Sequence, residues 1–494
     1  MTHRVRSVCL ALIGALTLGA GASAHQAGEV VLEQGAVTAA DGRVVRFELG
    51  TLYVSENRAA PNSRVIGIGF ARLRATSPSK APPVFMLPGG PGNSYLNAFT
   101  DHDAAARTQL AGLLPYARAA DLIIVDQRGF SRRGEVLTLT PPPSLLDIPD
   151  SPEAEALASS AMARAAIAAN PGRDLAGYTV VQCAEDVNDL RKALGYSHIT
   201  LSGQSFGSQW SFAVMRLHPE IVARALLSGT EPLAKNFDMP SQVLGALQRI
   251  AWDADRDPPL APYLPPGGVM AALGAVRDRL AEAPVRVAVD DVTVVLGLAD
   301  FQASLIRPAA DWPAFVLELY HRRYEAWARE VIARRTRPEP VRLIQPLIDS
   351  SLGASPQREH QLRTDPALRI IGVVDFDPLI RSAADWPTPP MNDNLRGPVR
   401  TTIPTLFIQG DWDTSTPMEN MLGTLPYFPD SRAILVHRAG HQSRAALFAQ
   451  EPAVLEAVIR FLRTGDAGDL PSEVTLPAPV FRMPAGPAPK LATP

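Results

Sequence analysis

The chain has 494 residues, 46% of them apolar and 20% charged, with a net charge of −3. That apolar share is enough for a sizeable core in one large domain carrying an insertion, or in two domains. There is no stripe of basic residues of the kind nucleic-acid binding needs, and no internal repeat.

The N-terminus reads as a secretory signal. Arg4 and Arg6 precede an apolar run from Val8 to Leu18 that is too short to span a membrane comfortably, and Ala22-Ser23-Ala24 supplies small residues at a cleavage site. Residues 1–24 are therefore expected to be a signal peptide, and the protein to be exported, periplasmic or secreted. Cleavage after Ala24 would remove two arginines and no acids, taking the net charge from −3 to −5. A retained signal anchor is the alternative. Cys9 lies inside the apolar run rather than at its end, which argues against a lipoprotein anchor. The mature chain then keeps only Cys183 and can form no internal disulfide. Cys183 falls in the helical pattern Val180–Val187 and reads as a buried helix cysteine. No spaced His/Cys/Asp cluster suggests a metal, and no cofactor is expected.

Eight strands follow from the apolar pattern. Arg43–Val54 and Arg64–Arg74 alternate and read as antiparallel starting strands. Pro83–Leu87, Leu122–Asp126, Ile199–Ser202, Ala225–Leu227, Thr405–Gln409 and Ala433–Val436 are compact apolar runs, suited to a mostly parallel sheet buried on both faces. Helical patterns over Thr179–Leu194, Phe206–Leu217 and Pro452–Leu462 fall between or after them, which predicts an open, doubly wound sheet. Pro152–Asn170 reads as another helical excursion. From Pro232 to Val399 the strand signal lapses into helical patterns such as Val243–Ala251, Val269–Leu280 and Ala314–Arg334. The expected organisation is a core over 25–231, a helical cap over 232–399, the rest of the core over 400–470, and an extended Pro/Ala-rich tail over 471–494.

The chemistry centres on Gly203-Gln204-Ser205-Phe206-Gly207, between a strand and a helix. A serine at such a turn is held in a tight backbone conformation that exposes its hydroxyl above the sheet. Alone, the pentapeptide is a weak signal; an acid and then a histidine must follow it. Gly410-Asp411-Trp412-Asp413 follows the strand at Thr405, and Asp413 is the favoured acid because it lies deeper in the loop. Asp411 competes, but suits ordering of the turn itself. Ala439-Gly440-His441 follows the strand at Ala433; His441 is the candidate base, with His437 at the strand's end as competitor. The order Ser205, Asp413, His441 allows acyl transfer through a serine nucleophile. An oxyanion needs backbone donors. The amide of Phe206 and an amide of Pro88-Gly89-Gly90-Pro91-Gly92 are the candidates, Gly90 first and Gly89 second. No Gly-x-Gly-x-x-Gly follows the first strands, which disfavours an oxidoreductase.

Taken together these segments resemble the proline iminopeptidase and tripeptidyl aminopeptidase family of serine peptidases. Pro88-Gly89-Gly90-Pro91-Gly92 is similar to that family's His-Gly-Gly-Pro-Gly, with Pro88 where the histidine stands. Asp126-Gln127-Arg128-Gly129 matches its Asp-Gln-Arg-Gly, and Gly203–Gly207 resembles its elbow. Asp413 with Thr416-Pro417, and Gly440-His441, fit its acid and histidine segments, and Asp311-Trp312-Pro313 resembles a Trp-Pro element. The resemblance spans Phe47 to Leu462. It implies an α/β-hydrolase fold with an inserted helical cap and an exopeptidase acting at the free N-terminus of short peptides. It also calls for cap acids that hold the substrate's amino group. Glu231, Asp300, Glu325 and Asp375 are the candidates. Asp126 and Arg128 are expected to form a network bracing the oxyanion loop. A secreted carboxylesterase or lactonase on the same triad is the alternative, with a peptide or small ester as the expected partner. A non-catalytic binding module is the remote third reading.

Overall fold

The computed structural model describes residues 25–488; the expected signal peptide lies outside them, as do residues 489–494. In chain order the strands are β1 (Val30–Thr38), β2 (Val44–Ser55), β3 (Val65–Leu73), β4 (Val84–Leu87), β5 (Leu122–Val125), β6 (Thr138–Leu139), β7 (Ile199–Gln204), β8 (Val222–Ser228), β9 (Val285–Val289), β10 (Val292–Leu296), β11 (Val341–Arg342), β12 (Thr405–Gly410), β13 (Ser431–His437) and β14 (Glu473–Thr475). Ten of them form one sheet in the order β1-β2-β3-β5-β4-β7-β8-β12-β13-β14. The first three pair antiparallel and join β5 antiparallel; from β5 through β4 to β14 every neighbour is parallel.

The eight expected strands are all present, and two more extend the sheet. Val30–Thr38 is an edge strand with mixed exposure, so it lacks the apolar run of a buried strand. Glu473–Thr475 is short and largely exposed. The central strands are buried on both faces, and alternate residues feed two separate cores. Phe85, Leu87, Ile123, Val125 and Leu201 join one, while Val84, Met86, Leu122, Ile124 and Ile408 join the other. The period-2 alternation of a strand requires that division. The helices Val180–Ala193 and Phe206–Leu217 cover the first face, and Pro452–Thr464 covers the second. Cys183 is fully buried in the first of these helices, and burial pushes its thiol up to about 12.

The segment between β8 and β12 has its own apolar core, in which Phe301, Phe315 and Trp327 stack around one another and Trp312 is fully buried. It is not purely helical: β9 and β10 form an antiparallel hairpin inside it. Their short alternating runs, Val285–Val289 and Val292–Leu296, are interrupted only by Asp290 and Asp291. Asp290 takes a positive φ of 53°, as a tight turn demands. The helix Pro152–Ala169 packs on this side too, against Asp377–Ser382, with Ser159 and Ser382 hydroxyls 2.7 Å apart.

The C-terminal segment is extended, as its composition predicts, but it is anchored. After β14 it runs from the sheet edge onto the cap. Phe481 is buried and stacks on Trp412 with ring centroids 6.3 Å apart. Arg482 Nη1 donates to Glu318 Oε1 at 2.7 Å, and the Ala485 amide donates to the same oxygen at 2.8 Å.

Candidate active site

Ser205 stands at the C-terminal end of β7, where the helix Phe206–Leu217 begins. Its backbone has φ 58° and ψ −132°, a strained conformation for a residue with a side chain. The strain is held by hydrogen bonds on both sides: the Ser205 amide donates to Ser228 O at 3.0 Å, and Ser205 O accepts from Ser208 N and Ser208 Oγ, each at 2.7 Å. Gly207 is required by close approach, since a methyl group there would overlap the Leu87 carbonyl oxygen. The turn leaves Ser205 half-buried at the edge of the sheet.

Two Asp–His pairs lie at the ends of β12 and β13, and they differ in kind. Asp411 accepts from the Arg438 amide at 2.8 Å and lies 3.0 Å from His437 Nδ1, so this pair ties the two loops together. Asp413 is fully buried, and its two oxygens lie 3.1 and 3.0 Å from His441 Nδ1. It also accepts from the amides of Ser415 and Thr416, both at 2.9 Å, from Thr416 Oγ1 at 2.7 Å and from Gln409 Nε2 at 3.1 Å. These donors fix the carboxylate's position against the ring. Burial acts to lower the His441 pKa, but the hydrogen bond and charge of Asp413 outweigh it, so the ring is raised above the usual histidine value. A proton fixed on Nδ1 leaves Nε2 as the basic nitrogen.

Gly229 marks where these loops meet. A methyl group on it would lie 3.1 Å from His441 Cε1 and 3.2 Å from both Ser205 N and Thr416 Oγ1. Serine, histidine and acid loop therefore converge on one small volume. No hydrogen bond joins Ser205 Oγ to the ring among the described residues; such bonds are commonly long without substrate.

The glycine-rich loop after β4 lies directly against the serine: a methyl group on Gly89 would be 3.2 Å from Ser205 Cβ and 3.7 Å from its Oγ. Gly90 has φ +114°, which only glycine adopts readily. Among the described residues neither the Gly90 nor the Phe206 amide has a hydrogen-bond acceptor in the protein, so both are free to donate to a bound oxygen. The Phe206 amide also opens a helix, whose dipole favours negative charge there.

The expected Asp126–Arg128 brace is not formed, because the two side chains have different partners. Arg128 reaches away, to both oxygens of Asp186 at 2.8 and 2.6 Å and to the carbonyls of Glu56 and Gly177. Asp126 accepts from Ser94, Ser131 and the Arg132 amide, and burial raises it to about 6. The residue between them, Gln127, grips the loop: it accepts from the Gly92 amide at 2.6 Å and donates to Pro88 O at 3.1 Å and Gly89 O at 2.9 Å. Its sequence signal was its place inside the Asp-Gln-Arg-Gly motif, where the charged neighbours drew attention instead.

Of the four cap acids, two do not reach the site. Asp300 is buried inside the cap, paired with Arg335 at 2.6 Å and accepting from the Gly297 amide. Glu325 is exposed on the first turn of its helix. Glu231 is different. Its amide donates to Ser208 Oγ at 2.9 Å, three residues past the serine, and its carboxylate lies 3.4 Å from Gln209 Nε2. Burial raises its pKa well above normal, and the charges of Asp238, Asp349 and Asp413 add to the effect. Asp375 is raised by burial and is felt by Asp238. Two acids that sequence reasoning missed complete the group. Asp238, hydrogen-bonded by Asn420 at 2.7 Å, is pushed up to about 8, and Asp349 to about 7, both chiefly by burial. No motif flags either one. Glu231, Asp238 and Asp349 are half-buried and Asp375 is exposed; Glu231 is felt by Asp238, Asp349 and Asp413, and Asp238 by Asp413 and Asp375, so the acids cluster toward the acid that holds His441. Among the described residues none of the four has an ion-pair partner.

Residues 82–262 match the family described as alpha/beta hydrolase fold, and residues 378–472 match one described as TAP-like protein. The protein has the α/β-hydrolase fold. Its fold is similar to solved structures of several kinds. Proline iminopeptidase of Mycobacterium smegmatis is 14% identical over 83% of this chain and 97% of that one, with a TM-score of 0.37. An esterase from Exiguobacterium antarcticum is 13% identical over 87% and 100%, with a TM-score of 0.34. An epoxide hydrolase from hot-environment metagenomes is 16% identical over 88% and 100%, with a TM-score of 0.33. No curated protein matches the hydrolase's sequence.

Proposed function

We propose that this hydrolase is an exported serine aminopeptidase that releases N-terminal residues or short peptides through an acyl-enzyme on Ser205. The observation that carries this reading is the cluster of Glu231, Asp238, Asp349 and Asp375, which feels the charge of Asp413 and, through the Glu231 amide, touches Ser208, three residues past the serine; these carboxylates have no ion-pair partners among the described residues. Uncompensated, desolvated carboxylates are costly unless they are protonated or meet a cation. A peptide's free α-ammonium supplies that cation, whereas a neutral ester does not.

In this reading His441 takes the Ser205 proton as Ser205 attacks the peptide carbonyl, and Asp413 holds the ring and stabilises the imidazolium. The amides of Gly90 and Phe206 hold the oxyanion, and His441 then protonates the departing amine. Water repeats the sequence against the acyl-enzyme. Export rests on the basic, apolar and small-residue pattern of residues 1–24.

The test is a panel of aminoacyl and peptidyl arylamides beside short acyl esters. Free-amine peptides are expected to be cleaved, and N-acetylation should lower kcat/KM by roughly a hundredfold, the scale for losing one partner of a desolvated charge pair. Equal rates for acetylated peptides, or esters outrunning every amide, would assign the site to an esterase. Ser205→Ala should abolish both turnover and fluorophosphonate labelling in a folded protein.

A further inference from the structure

A cavity is lined in part by Pro232, Leu233, Ala234 and Lys235, the residues that follow Glu231. Its volume is about 600 Å³, and none of the residues assigned above to the catalytic site or the acid cluster lines it. The floor is apolar, with Phe212, Met215 and Leu233 among its residues. The polar part of the wall is one-sided: five cationic side chains and no carboxylate. Arg396 has its own partner in Asp393. Arg216, Lys235 and Arg358, all half-buried, and the exposed Arg400 have none, although most other buried or half-buried cations among the described residues are paired with acids.

Three of these four instead lean on backbone carbonyls. Lys235 Nζ donates to Glu419 O at 3.0 Å, Arg216 to Asn394 O at 2.6 Å and Arg358 to Phe237 O at 2.6 Å. The Nε atoms of Arg216 and Arg358 are buried without any acceptor. Carbonyl oxygens neutralise only part of a cationic charge, and buried charge is normally paired. At Lys235 burial and the neighbouring Arg358 depress the pKa to about 8 although Asp238 and Glu419 pull it the other way, so the carboxylates beyond hydrogen-bond reach do not make up for burial.

We propose that this cavity is a second ligand site, for an amphipathic carboxylate whose head group meets Lys235 and Arg358 and whose apolar body lies on Phe212, Met215 and Leu233. An anion supplies the charge that the cationic wall lacks, and the apolar floor selects against small hydrated ions. The volume falls within the range of small-molecule sites. The proposal uses none of the catalytic residues, although Lys235 and Arg358 feel the charge of Asp238, one of the acids on which the peptidase reading rests.

Isothermal titration of the intact protein tests it, with decanoate and a hydrophobic N-acetyl-dipeptide acid as ligands and decan-1-ol as the neutral control. One carboxylate is expected to bind with a stoichiometry of one, and the tighter of the two identifies the source of the head group. Lys235→Met and Arg358→Met should each weaken it by roughly tenfold or more, the scale of a charged hydrogen bond. Ala234→Trp, which fills the cavity without touching a charge, should abolish binding. Decanol binding as tightly as decanoate would overturn the proposal, as would unchanged affinity in Ala234→Trp. Failure of both carboxylates to bind the wild type would overturn it outright.

Discussion

Gln127 is buried, and its side-chain amide makes three hydrogen bonds to the loop that carries Gly90. Gln127→Met preserves the length and most of the volume while removing both the donor and the acceptor. At about 1 kcal/mol for each bond, the fold should lose about 3 kcal/mol. The larger consequence is geometric. The loop lies against Ser205, and without Gln127 the Gly90 amide is no longer held where an oxyanion forms. Removing such a donor entirely costs about 3–4 kcal/mol of transition-state binding. A displaced donor should cost part of that, so kcat is expected to fall about ten- to a hundredfold with KM little changed. The assay is steady-state hydrolysis of an arylamide, with active sites counted by fluorophosphonate titration so that unfolded protein does not enter kcat. A kcat per titrated site within about twofold of wild type, with the melting temperature lowered, would refute the reasoning: Gln127 would then be a stabilising residue and nothing more.

Four further predictions rest on the same geometry. Asp238 and Asp349 bind protons more tightly in the folded chain than when unfolded, so folding stability should fall as pH rises from about 4 through about 7–8; in a thermal-melt series across that range Asp238→Asn should flatten the slope. The same variant should raise KM for free-amine peptides and leave N-acetylated substrates unaffected, measured at about pH 7, where the peptide α-amino group is still a cation that favours the ionised wild-type carboxylate. Because His441 is raised above the usual histidine value and must be neutral to act as base, the acidic limb of kcat/KM should lie above pH 6.5; Asp413→Asn should move that limb to lower pH, since it removes the stronger of the two carboxylates that raise the ring against burial, and cut kcat by about four orders of magnitude. Gly207→Ala should lower the melting temperature markedly and abolish labelling of Ser205, because the added methyl group overlaps the Leu87 carbonyl oxygen; a variant that melts and labels like wild type would show that the strand–helix approach is looser than drawn.

The sheet was legible because its central strands are short apolar runs buried on both faces, a pattern that survives without context. Val30–Thr38 and Glu473–Thr475 were not, because edge strands need little apolar surface and look like loops. The hairpin Val285–Leu296 was hidden inside a region read for helical periodicity. Ser205, Asp413 and His441 could be singled out because each follows a strand, and the fold brings strand ends to one edge. What separates Asp413 from Asp411 is a set of donors from Ser415, Thr416 and Gln409 that no spacing rule specifies. The acid cluster was harder still. Asp238 and Asp349 are 111 residues apart in the sequence, yet both act on Glu231. Asp300 looked equivalent to Glu231 and Asp375, and its pairing with Arg335 depends on a contact 35 residues away that no motif marks.

Trp412 sits beside Asp413 in sequence but packs into the apolar core of the cap, where Phe481 stacks on it. The residue that orients the histidine is thus bolted, through its neighbour, to the layer that covers the substrate. A swing of the whole cap away from the sheet would drag Trp412 with it and pull Asp413 off His441. The enzyme would be disarmed whenever it stood wide open. Substrate must then enter and product leave by a gap that spares this corner, and a catalytic cycle in which the cap rises as a rigid lid is incompatible with a triad that stays assembled throughout.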